Sequence, residues 1–135
     1  MTRYVVDALA LLEVASSSVS IHADHQLVAP NVVRSEALSL LYDNVRQGEI
    51  TEAEALRLHE RITEVKVRLL GDRVSRRTAW RIARENAWDH LGHAEYVAVT
   101  LLQADALIAL DRSLVQSAAG IVSLASLDDL VNPRA

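Results

Sequence analysis

The chain has 135 residues, half of them hydrophobic, with a net charge of −4 and no cysteine. That length and composition suit one domain, 1–135, whose core is aliphatic, since phenylalanine is absent and aromatics make up only 4%. The missing cysteine excludes a disulfide scaffold, a thiolate metal site and a cysteine nucleophile.

In chain order, "RYVV" at 3–6 is rich in β-branched residues and reads as a short buried strand. A helix follows from Ala8 to Val14, weakened and ended by the serines of "SSSVS" at 16–20. "LVAP" at 27–30 is a second strand, stopped by Pro30, and Asn31 is placed to cap the next helix. That helix, Val32 to Gln47, keeps Val33, Ala37, Leu40, Leu41 and Val45 at helical spacing and ends at Gly48. "TEAE" at 51–54 has the capping-box pattern and opens a helix to about Thr63. "VKVRLL" at 65–70 alternates as a strand. Val74 to Trp88 reads as a helix with an Ala79–Ile82–Ala83 stripe; beside it Trp80 reads as core, and the alternative is that Trp80 and Trp88 stack bases. A helix over Ala94–Gln103, a strand "ALIAL" at 106–110, a helix Arg112–Ala118 and a last strand "GIVSLA" at 120–125 complete the chain. Alternating strands and helices predict an α/β, three-layer fold, with a parallel sheet of four to five strands between helices.

Asp7 and Glu13 interrupt any signal-peptide core, and the near-apolar stretch 96–110 is broken by Gln103 and Asp105. Neither a leader nor a membrane span is expected, and a cytoplasmic protein is. The window from Arg57 to Arg84 holds nine of the 14 basic residues against three acids, so it carries +6 and the remainder −10. Such a window is either two solvated helix faces or a nucleic-acid footprint, with Arg73, Arg76 and Arg77 the best phosphate partners.

Asp7 and Asp111 each follow a strand, where open parallel sheets bind ligands. Each also precedes a helix, where Asp is a favoured cap. Glu36 lies beside a buried stripe, and Glu95 stands in the first turn of an apolar helix. Gathered at a strand-end crevice, such acids would bind a hard divalent cation, Mg²⁺ or Mn²⁺.

The succession "YVVDALALLE", "LVAPNVVRSEALSLL" and "AEYVAVTLLQADALIALDRSL" resembles the PIN-domain ribonucleases, and more narrowly the toxin subunits of VapBC-type toxin–antitoxin pairs, over nearly the whole chain. The resemblance implies a Mg²⁺- or Mn²⁺-dependent endoribonuclease that cleaves RNA and is neutralised by an antitoxin protein. It also implies a homodimer or a toxin–antitoxin hetero-oligomer. By motif match Asp7, Glu36 and Asp111 take the places of family acids. The fourth acid normally opens the helix before the last of these strands, but that position holds His93, with Glu95 two residues on. Two residues turn a side chain about 200° around a helix. Glu95 is the preferred fourth ligand because hard cations favour oxygen, with His93 as runner-up. Leu9 and Ala109 stand where such toxins often carry hydroxyls, which weakens support of the ligands. The alternative is a degenerate domain that binds its antitoxin without cleaving. On this reading Asp7 breaks its apolar run because a cation, and not a protein group, offsets its charge.

Other chemistries fit less well. The His22/His25 and His90/His93 pairs lack further zinc ligands nearby in sequence. A phosphoacceptor receiver needs a late strand-end Lys, and Lys66 is the only lysine. A haloacid-dehalogenase-type phosphatase wants an acid where Leu9 stands. No glycine precedes position 48 to build a phosphate loop, and no Gly-flanked serine suggests a hydrolase nucleophile.

Overall fold

The computed structural model describes residues 1–17 and 19–133. Four strands, β1 (Thr2–Val6), β2 (His25–Pro30), β3 (Val67–Leu70) and β4 (Ala106–Ile108), form an all-parallel sheet in the order β3-β2-β1-β4. Seven helices are described: α1 (Ala8–Ser17), α2 (Val33–Arg46), α3 (Glu52–Glu64), α4 (Arg73–Glu85), α5 (Gly92–Gln103), α6 (Arg112–Ala118) and α7 (Asp128–Val131). α1, α2 and α3 pack on one another, while α5 lies on β1, β2 and β4 and carries α4 and α6. The fold is thus α/β, with the sheet flanked by helices in three layers.

The second half of β1 is apolar because both its faces are covered there; Tyr4, Val5 and Val6 are all buried. From β1 the chain steps outward to β2 and β3, then returns to place β4 on the other side of β1. This reversal opens a crevice at the carboxyl ends of β1 and β4, where doubly wound sheets hold ligands.

The expected elements are present with local corrections. Asn31 does not cap α2; its backbone N–H donates to Leu70 and prolongs the β2–β3 ladder, so Val32 becomes the cap residue with no side-chain cap bond. Asn31's side chain lies instead against Gly71, in space that a Cβ there would claim. The Thr51–Glu54 capping box forms in both directions. β3 begins only at Val67, because Val65 still donates to Ile62 as the end of α3. α4 starts at Arg73, capped by Asp72, and stops at Glu85 rather than Trp88. There Ala87 takes the left-handed conformation at φ 54°, and the Ala87 and Trp88 N–H groups donate back to Arg84 and Ala83, closing the helix as a Schellman turn. The segment 120–125 is not a strand; it meets β4 by a single bridge, with bonds from Leu107 to Ser123 and from Ala125 to Leu107. The sheet therefore has four strands.

Trp80 is not core. It is 63% exposed, whereas Leu107 is fully buried. Leu107→Ala should cost about 2–5 kcal/mol in urea unfolding, and Trp80→Ala less than about 0.5 kcal/mol.

Candidate functional site

Asp7 leaves β1 at the crevice and is 3% exposed. Its Oδ1 accepts from the Ala10 N–H at 2.8 Å, which caps α1. Its Oδ2 accepts from the Leu110 and Asp111 N–H groups, both at 3.0 Å, in the turn after β4. One carboxylate thus satisfies donors from two chain segments over a hundred residues apart. The expectation that only a cation offsets this charge is corrected: three backbone N–H dipoles share the task. About one of its four acceptor positions is left over.

Asp111 is also a cap. Its Oδ1 accepts from the Ser113 N–H at 3.0 Å and from the Ser113 hydroxyl at 2.8 Å. Its Oδ2 stands 3.9 Å from His93 Nε2. His93 is held on both sides, with Nδ1 3.0 Å from Ser117 Oγ and Nε2 3.3 Å from Ser113 Oγ.

Glu36 projects from the first turn of α2, and its Oε1 accepts from the Tyr96 hydroxyl at 3.2 Å. Partial burial raises the Glu36 carboxyl above its ordinary range. The Tyr96 bond opposes that rise, while the charges of Glu95, Asp7 and Asp111 add to it. Tyr96 is itself buried on α5, and burial, then the Glu36 charge, push its phenol far above the usual range. Its hydroxyl thus keeps its proton and donates a hydrogen bond to Glu36.

Asp7, Glu36, Asp111 and Tyr96 line one cleft of about 490 Å³. A fourth acid, Asp43, lines it too, and among the described residues no Lys, Arg or His does. Sequence reasoning missed Asp43, although it follows Glu36 by seven residues, two helical turns along one face of α2. It missed Tyr96 as well, a neighbour of the Glu95 it singled out.

Glu95 and His93 diverge, as their spacing requires. His93 stands beside Asp111. Glu95 lines an adjoining depression with Arg76, Asn31 and Gly71, which meets the cleft at Val32. Glu95 remains close enough for its charge to raise Glu36. Arg73, Arg76 and Arg77 are all exposed in the first turns of α4. The two histidine pairs place their rings 5.5 Å (His22/His25) and 5.3 Å (His90/His93) apart.

The donor set is oxygen-rich and acidic, and among the described residues no Lys or Arg lines it, which fits a hard divalent ion. Among the described residues, no three His, Asp or Glu side chains converge closely enough to enclose an ion as they stand. A hard ion that keeps most of its water needs only one or two carboxylates, so the donor chemistry still fits.

No protein-family model matches the chain, and no curated protein does. The chain is similar to the crystal structure of PAE2754 from Pyrobaculum aerophilum, with 23% identity and a TM-score of 0.69 over 96% of this chain and 94% of that one. That likeness shows the fold. Among the described residues no helix is long and apolar enough to cross a membrane.

Two outcomes follow from the geometry. Asp7→Asn replaces an acceptor oxygen by an NH₂ group against backbone donors, so it should lose about 1–3 kcal/mol in urea unfolding. The raised Glu36 carboxyl resists ionising in the folded state, so it favours folding below its ordinary value of 4.5 and disfavours it as pH rises through the raised value. Glu36→Gln should therefore raise Tm at pH 7, and the gain should vanish as pH falls below about 4.5.

Proposed function

We propose that the chain is a Mg²⁺- or Mn²⁺-dependent endoribonuclease of the PIN type, acting as the toxin of a toxin–antitoxin pair. The observation that carries the reading is the cleft at the carboxyl ends of β1 and β4, lined by four acids and, among the described residues, by no Lys, Arg or His. The toxin role rests on the resemblance of the three sequence motifs.

In this reading Asp7, Glu36 and Asp111 would hold the ion, with Glu95 adding charge from the Glu36 side and His93 as the alternative fourth group. When bound, the ion supplies an acidified water and neutralises charge developing at the phosphate. The chain's own residues do the positioning. The backbone bonds of Asp7 fix its carboxylate before any ligand arrives, so no reorganisation is needed at the moment of reaction. Tyr96 keeps Glu36 turned into the cleft. The hydrogen bond it donates favours the ionised form that a cation needs. Ser113 and Ser117 hold His93 beside Asp111, where it can take or give a proton at Nε2. Arg73, Arg76 and Arg77 would hold the RNA backbone. An antitoxin and a second copy of the chain are the protein partners this reading implies; Leu38, Tyr42 and Leu56 give α2 and α3 exposed apolar surface for one of them.

A second reading, a domain that binds its antitoxin but does not cleave, is favoured by one observation: no three of these side chains converge on an ion position as they stand. Incubation with structured RNAs plus Mg²⁺ or Mn²⁺ separates the two. Glu36→Gln is the informative variant, since Asp7→Asn also removes a structural bond. Cleavage at discrete sites, abolished by EDTA and slowed at least about tenfold in Glu36→Gln, is expected. No cleavage by the wild type under any metal would favour the second reading.

A further inference from the structure

Helix α4 turns Ala79, Ile82 and Ala83 into the core and carries five arginines on its remaining surface, Arg73, Arg76, Arg77, Arg81 and Arg84, against one acid, Glu85. Among the described residues their one ion pair is Arg81 to Glu85 at 3.8 Å. Trp80 stands in their midst, 63% exposed. Positions 73, 77, 80 and 84 share one stripe of a helix, so Arg77 lies one turn before the indole and Arg84 one turn after. Val74, itself exposed, joins Arg77, Trp80, Arg81 and Arg84 around a shallow groove of about 480 Å³.

A lone exposed apolar side chain needs no explanation. An exposed indole framed by arginines, of which only Arg81 is paired with an acid among the described residues, is another matter, because it combines a flat stacking face with charges spaced along it. The same helix also carries an arginine on the acid side. Arg76, in the first turn of the same helix, lines the depression with Glu95 that shares Val32 with the cleft.

We propose that this face of α4 binds single-stranded RNA, with Trp80 stacked on an unpaired base and Arg77 and Arg84 on the flanking phosphates; the choice of RNA as the polyanion rests on the ribonuclease reading. Charge complementarity selects a polyanion. The indole selects an unpaired one, since the bases of an A-form duplex are stacked on each other and closed to an inserted ring. An acidic peptide would answer the arginines but offers no repeating planar partner for the indole.

The test is fluorescence anisotropy of a labelled, unstructured RNA of about 12 nucleotides, and of the same strand annealed to its complement. It is run in EDTA so that binding is read without metal or cleavage. Binding of the single strand at least about tenfold tighter than the duplex is expected, with Trp80→Ala weakening it by about tenfold or more and Trp80→Phe retaining most of it. Arg77→Ala should lower the slope of log affinity against log salt by about 0.7. Equal binding by Trp80→Ala and wild type, or a preference for duplex, would overturn the proposal. So would sedimentation showing that Trp80→Ala separates a dimer while RNA binding is unchanged. Cleavage without a Trp80 effect rejects only the α4 site, and Trp80-dependent binding without cleavage rejects only the nuclease.

Discussion

The carboxylate of Asp7 joins the parts of this fold that matter for its chemistry. It caps α1 at one oxygen and binds two N–H groups of the β4–α6 turn at the other. β1 and β4 are neighbours in the sheet, but the turn after β4 would otherwise leave two backbone donors at the crevice unsatisfied, and such donors are costly when buried. The bond therefore fixes where Asp111 begins α6, and through Asp111 it fixes the Ser113 and His93 side chains. A structural bond and a pre-set acidic cleft come from the same group.

The remainder of the cleft lining is a surplus of negative charge, with His93 beside Asp111. Glu36 comes from α2, Tyr96 from α5 and Asp111 from the end of β4, so all three layers contribute. Five of the 14 basic residues lie together on the exposed face of α4, outside the cleft lining. The molecule thus separates charge: acids at the strand ends and arginines one depression away. A cation in the first place and a polyanion along the second would each be drawn by that field.

The fold was largely legible in the sequence because the strands are short, apolar and separated by helices with clear stop signals, such as Gly48 and the Thr51–Glu54 box. The errors came where tertiary contacts decide. Asn31 has a capping side chain, but its backbone N–H is claimed by Leu70 across the sheet. Residues 120–125 have strand composition, yet they reach β4 by only one bridge. Trp80 reads as core by size, but its stripe is shared with Arg77 and Arg84, and the arginines mark the true outer face. At the site, Asp7, Glu36 and Asp111 were found by their places after strands and in a first helical turn. The triple use of Asp7 was not legible, because its donors lie over a hundred residues away. Asp43 was overlooked although its seven-residue spacing from Glu36 was in plain view.

The most direct measurement is a calorimetric titration of Mn²⁺ into the wild-type chain beside Glu36→Gln, at pH 7 and without RNA. If the four acids form a cation site, the wild type binds Mn²⁺ saturably and Glu36→Gln binds it at least about tenfold weaker. Binding that is absent in the wild type, or equal in both proteins, would contradict the assignment of this cleft as a metal centre.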